Sequence, residues 1–229
     1  MMNAVKKTAC ALAVLATSTA VMAESIDVKV IGTITPTACK PTLSGGGTID
    51  YGTINPNTLK RDDFTVLAEK QIDFAITCDA PAKVGLRSIN NRPSTLAGVS
   101  NDDNYGNAPV ELLGRKNPPS YGLGLDNNKR IGGYSFNITS AKADGEKVKT
   151  IYKNDDQTSW NNSNWDLMMQ WRPTQTTYSW SKSNSTNPVA FTTLAGTLGA
   201  QAYINKASEL DLTKPVKLDG LTTLELVYL

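Results

Sequence analysis

The stretch Leu221–Leu229, LTTLELVYL, decides how this chain is read. Leu224, Leu226 and Tyr228 fall at a period of two, the pattern of a strand with one buried face. The chain then stops at the carboxylate of Leu229. Near the other end Ile26, Val28, Val30 and Ile34 alternate in the same way, and Gly32 holds the one place in that row without a side chain. Two alternating strands therefore sit near opposite ends of the sequence. The functional reading turns on whether they pair within one molecule or between molecules.

Working inward, Lys70–Cys78 reads KQIDFAITC, with Ile72, Phe74 and Ile76 alternating with Gln71, Asp73 and Ala75 as in a half-buried strand. Lys83–Ile89, after an Asp79-Ala80-Pro81 turn, is its expected partner. Thr48–Gly52 reads as a short strand with a turn behind it. Residues 90–119 are rich in Asn, Asp, Gly and Pro and are expected to be a long loop. Tyr121–Leu125 and Ile131–Ile138 are strand candidates about a turn at Asp126-Asn127-Asn128, and Asp144-Gly145 turns into a further strand over Lys147–Lys153. Residues 154–190 are dense in Asn, Ser and Thr and carry all four tryptophans; they are expected to form an enlarged loop region. Strands return at Val189–Leu194, Gly199–Ile204 and the terminal segment. Nowhere does a helical spacing of apolar residues persist, and short strands at roughly ten-residue intervals predict an all-β sandwich.

The first residues read as an export signal. Lys6 and Lys7 precede the apolar run Ala9–Ala16, and Val21-Met22-Ala23 supplies a small-residue cleavage site, so residues 1–23 are expected to be removed. No other stretch approaches the roughly 20 apolar residues of a membrane helix. Of 23 basic and 21 acidic residues the signal takes two lysines, leaving 21 of each. A balanced charge without a basic block argues against nucleic acid or an anionic membrane surface as partner. Three cysteines become two, Cys39 and Cys78, and an even pair in an oxidising compartment reads as one disulfide. Two sulfurs that far apart without histidine make a poor metal site.

The chain has no histidine. Ser-His and Cys-His nucleophile pairs, histidine zinc sites and the usual neutral-pH base are thereby excluded. Asp102-Asp103 and Asp155-Asp156 read as solvated loop charge, and Gly45-Gly46-Gly47 lacks the lysine and helix of a phosphate loop. No catalytic residue, metal or cofactor is expected. Trp160, Trp165, Trp171 and Trp180, with Tyr152 and Tyr178, are either a glycan-stacking surface or the apolar anchor of a polar region.

Together Val28-Lys29-Val30, the run Cys39-Lys-Pro41-Thr-Leu43-Ser44-Gly-Gly, Tyr51-Gly52, the second cysteine at the end of a strand, and a terminal strand with Tyr228 next to last resemble bacterial chaperone-usher pilus subunits. The resemblance is closest to fimbrial-like proteins of enterobacterial gene clusters, and is strong at both ends and weak in the middle. It implies an immunoglobulin-like, pilin-type sandwich over residues 37–229 that lacks one strand, with residues 24–36 as a donor-strand extension. Ile26, Val28, Val30 and Ile34 would then enter a neighbour's groove, with Gly32 where the groove is shallow. Leu224, Leu226 and Tyr228 would line the acceptor groove or its edge, and the Leu229 carboxylate would be held by the chaperone. The implied partners are a periplasmic chaperone, an outer-membrane usher, neighbouring subunits and host or surface glycans. The implied place is the cell surface, reached through the periplasm. The competing expectation is a self-complete carbohydrate-binding module using the tryptophan region.

Overall fold

The computed structural model describes residues 28–33, 37–99, 106–169 and 174–229. The expected signal segment 1–23, Ile26, Ile34, Trp171 and the pair Asp102-Asp103 lie outside these residues. The chain divides into two units, Met1–Thr35 and Pro36–Leu229. In the first, residues 28–33 carry no regular secondary structure, and Val28, Val30 and Ile31 are exposed. An alternating segment becomes a strand only when its N–H and C=O groups meet a partner edge.

The second unit is built almost wholly from strands. In chain order the principal ones are β1 (Cys39–Leu43), β2 (Thr65–Val66), β3 (Lys70–Ala82), β4 (Val84–Asn90), β5 (Gly106–Asn107), β6 (Pro119–Gly122), β7 (Gly132–Ala143), β8 (Lys149–Asn154), β9 (Asn161–Asn162), β10 (Thr176–Ser181), β11 (Phe191–Ile204) and β12 (Thr222–Tyr228). One sheet has the order β1-β3-β11-β7-β6-β5, with β2 paired to β11 and the arm Glu146–Lys147 paired to β7. The other has the order β9-β8-β10-β4-β12. The pairings within both are antiparallel. The sheets close on a common core: Phe74, Phe136, Ile138 and Leu194 of the first meet Val84, Leu86, Tyr178 and Trp180 of the second. This is the all-β sandwich that the alternating segments predict. No helix among the described residues is long and apolar enough to cross a membrane.

The Cys39–Cys78 disulfide is formed and joins β1 to β3 at directly opposed positions. Its Cα–Cα distance of 4.0 Å suits a pair that exchanges no ladder hydrogen bonds, where side chains approach most closely. The Asn127-Asn128 turn is also as expected. Both residues have positive φ, 45° and 63°, and link a two-stranded hairpin, Leu125–Asp126 with Lys129–Arg130.

Other expectations are corrected. Thr48–Gly52 forms no strand. Asp50 accepts the Gly52 N–H at 2.7 Å in a tight turn, and the Tyr51 hydroxyl accepts the Ala202 N–H at 3.1 Å, which draws the segment across β11 instead of along an edge. Asp79-Ala80-Pro81 is no turn, because β3 runs on to Ala82. The missing N–H of Pro81 falls where the β3–β11 register shifts, a place where a strand tolerates proline. β4 accordingly pairs with β10 and β12 in the other sheet and not with β3. The strand expected over Lys147–Lys153 is divided at Val148 between the two sheets.

Residues 90–119 are not a structureless loop. Leu96, Ala97, Ala108 and Leu112 make a satellite core with Tyr203, whose hydroxyl donates to the Ala97 carbonyl at 2.6 Å. The segment lies flat on the sheet because glycines leave it room. A Cβ on Gly133 would lie 2.2 Å from the Leu96 Cδ1, and one on Gly122 2.1 Å from the Thr95 Oγ1. The expected loop region 154–190 contains β10, a central strand buried along its whole length. Its hydroxyls find partners inside: Ser179 donates to the Val84 carbonyl and Ser181 to the Ser185 carbonyl. That is how a polar sequence lies in a core.

Candidate functional site

Among the described residues both sheets end on a strand that has one neighbour only: β1 pairs with β3, and β12 pairs with β4. In an antiparallel pair, alternate residues turn their N–H and C=O toward the partner and the others turn theirs away. The Asn91 N–H donates to the Leu221 carbonyl and the Leu229 N–H to the Lys83 carbonyl, so the odd-numbered residues of β12 face β4. The backbone groups of Thr222, Leu224, Leu226 and Tyr228 therefore face the open edge, and their side chains share one face. On β1 the Asp79 N–H donates to the Ala38 carbonyl, so Cys39, Pro41 and Leu43 face outward.

Between these edges lies an open groove of about 1570 Å³. Pro41, Thr42 and Leu43 border it from β1, and Thr222 and Leu224 from β12. Its floor is apolar: Ile72 and Phe74 of β3, Leu198 and Ala200 of β11, and Phe136 of β7. Two segments without regular strand structure extend the walls, one with Ile49, Tyr51 and Ile54, the other with Leu210, Leu212, Val216 and Leu218. An apolar concavity of this size flanked by unpaired strand edges is a surface that soluble domains normally cover.

The second wall is held at its middle and at its C-terminal end. Asp219 takes a bidentate hydrogen bond from Arg92, Nε and Nη2 each at 2.8 Å, and the Asp219 N–H donates to the Leu123 carbonyl. Arg92 holds the Asp219 carboxyl below its ordinary range, and the carboxylate holds the guanidinium above its own. Lys214 pairs with Asp126 at 3.8 Å. At the head of β12 the Tyr134 hydroxyl shares a short hydrogen bond with Thr222, and burial pushes that phenol up to about 12. Burial also raises Tyr51.

Of the residues singled out in β12, Leu224 lines the groove, while Leu226 packs beneath it against the main core. Tyr228 is 56% exposed, and its hydroxyl accepts the Cys39 N–H at 2.8 Å across the gap between the two edges. The Leu229 side chain is exposed. Trp160, Trp165 and Trp180 pack on different neighbours. Trp180 is fully buried between Phe74 and Phe191, which removes it from any glycan surface; it is a core residue because β10 is a central strand. Trp160 lies under Lys153 and Trp165 under Arg115, with Trp165 39% exposed. Tyr178 is buried, its hydroxyl donating to the Met169 carbonyl. Asp155 of the second acidic pair binds Arg87 at 2.7 Å. Among the described residues no group of three or more His, Cys, Asp or Glu gathers that could hold a metal ion. The walls are what sequence reasoning misses. The period-two row Leu210, Leu212, Val216, Leu218 is their one visible signal, interrupted by Lys214.

Over residues 28–135 the chain matches a family model described as a protein of unknown function (DUF1120). It is 30% identical over 246 aligned residues to Protein GltF of Escherichia coli (strain K12), an alignment that covers 96% of this chain and 95% of that protein. The chain belongs to the GltF family. The Uncharacterized protein YhcF of the same organism is 26% identical over 218 residues, covering 90% of each chain. The matched model spans Val28, β1 and the start of β7, whereas the likeness to GltF runs over nearly the whole chain.

Proposed function

We propose that this chain is an exported, non-enzymatic structural or adhesive subunit of a chaperone-usher fimbria, assembled by donor-strand exchange. The observation that carries the reading is the apolar groove between two strand edges, β1 and β12, neither of which has a partner on the groove side among the described residues. An exposed strand edge beside an apolar concavity invites another strand, which adds main-chain hydrogen bonds and buries alternate side chains. The complementary segment is in the same sequence: Val28 and Val30 alternate, are 86% and 95% exposed, and are followed by Gly32. A periplasmic chaperone first covers the groove, an outer-membrane usher guides the exchange, and the extension 24–36 of a neighbouring subunit replaces the chaperone.

A glycan-binding role has less support. Trp180 is in the core, Trp160 lies under Lys153, and Trp165 lies beneath Arg115. Leu224→Arg tests the groove, because it places a charge on a wall that an incoming strand must cover. The exported variant, with its disulfide intact, is expected to remain in the size of a single subunit or a chaperone complex. Polymers as long as those of the unaltered chain would refute the reading.

A further inference from the structure

The two edges of the groove are unequal, and the inequality sets how far a guest strand can run. On β12 the outward groups of Thr222, Leu224 and Leu226 offer both N–H and C=O. On β1 the outward residues are Cys39, Pro41 and Leu43. Pro41 has no N–H to give, and the Cys39 N–H already donates to the Tyr228 hydroxyl at 2.8 Å. The groove lining agrees independently. It includes Pro41 and Leu43 but not Cys39, and Thr222 and Leu224 but not Leu226 or Tyr228. The concavity therefore ends where the phenol crosses from one edge to the other.

We infer that Tyr228 is the end-stop of the groove: a strand entering between the edges pairs along β12 over Thr222–Leu226 and halts at the bond between the Tyr228 phenol and the Cys39 N–H. This rests on the donor-strand reading for its guest, the extension 24–36 of a second copy of this chain. The three outward positions of β12 ahead of Tyr228, Thr222, Leu224 and Leu226, have the period of two at which Val28, Val30 and Gly32 follow one another in that extension. Tyr228 positions the guest through this bond and is not itself a pocket for it. A longer guest must displace the phenol and take the Cys39 N–H.

The test is amide hydrogen exchange on the exported full chain carrying Val28→Asp and Val30→Asp, which keeps its own extension out of a neighbour's groove, and on the same protein with Tyr228→Phe added, each with and without a synthetic peptide of the unaltered residues 24–36. The amides of β11 report throughout that the fold is kept. Without peptide, the Cys39 amide is expected to be protected in the protein that keeps Tyr228 and to exchange about tenfold faster or more in the Tyr228→Phe protein, since only the hydroxyl is removed. With peptide, Leu224 and Leu226 gain protection in both proteins, and Cys39 regains it in the Tyr228→Phe protein as the guest advances into the vacated end. Equal Cys39 exchange in the two proteins without peptide overturns the end-stop. So does an added Cys39 protection on peptide binding that is the same in both. Failure of the peptide to protect any amide of β12 in either protein overturns the donor-strand reading and, with it, the stop on its guest.

Discussion

Tyr134 shows how one side chain ties the groove to the stability of the subunit. It packs against Tyr121 at 6.3 Å between ring centroids, binds Thr222 at the head of β12, and leaves little room beside Gly220. Burial raises its pKa from the ordinary 10.0 to about 12. The folded state thus favours the neutral phenol. That stabilisation is fully present below the unfolded value near 10 and is lost as pH rises through 12. Denaturation measured between pH 9 and about 12 is expected to show a loss of stability that Tyr134→Phe flattens. The same variant costs about 1 kcal/mol at neutral pH through the lost bond to Thr222. A steep alkaline loss unchanged in Tyr134→Phe would assign it to other groups. Asp219 acts in the opposite direction: its lowered pKa gives a contribution present above the ordinary carboxylate range and lost on acidification. Its exposure makes that contribution small.

At the scale of elements, the glycines of β6 and β7 decide whether the satellite core can lie on the sheet. Gly133→Ala would bring a methyl group to 2.2 Å from Leu96 and 2.7 Å from the Tyr203 ring, both fixed in the packed core. The expected cost is about 1–3 kcal/mol, read as a lower midpoint in urea with an unchanged slope. The elements legible in the sequence were those whose alternation is strict: β12, β3 and β7, where Tyr134, Phe136 and Ile138 follow one another at a period of two. β10 was hidden because its core positions hold Thr176, Tyr178 and Trp180 while its other face holds Thr177, Ser179 and Ser181. A strand whose second face is buried by hydroxyls satisfied in the backbone has the composition of a loop. The sheet change after Ala82 was equally silent, since alternation gives the face of a strand and not the identity of its neighbour. The groove's two edges could be read from the ends of the chain. Its irregular walls could not, because the period-two row that includes Leu210, Val216 and Leu218 forms no strand and is held instead by packing against Leu123, Ile131 and Ile204.

At the scale of the molecule, the disulfide and the groove form one arrangement. The Cys39–Cys78 bond closes a 39-residue separation, worth about 4 kcal/mol as a constraint on the unfolded chain, and it fixes the β1 border of the groove against β3. The opposite border, β12, pairs with β4 and is tied by the Tyr134–Thr222 bond at its head and the Tyr228 contact at its other end. The fold thus keeps two edges in place around an apolar floor while leaving the space between them open. Donor-strand exchange between copies is the account that uses both the open groove and the alternating segment before it. The most direct measurement is the mass distribution, by sedimentation, of the exported full chain beside a Val28→Asp, Val30→Asp double variant. The account predicts polymers, or a soluble chaperone complex that converts to polymers, for the unaltered chain. The variant should stay at the size of one subunit, because charges at two exposed valines that insertion would bury weaken it by about a hundredfold or more. A stable monomer from the unaltered chain alone, or polymers of equal length from both proteins, would contradict it.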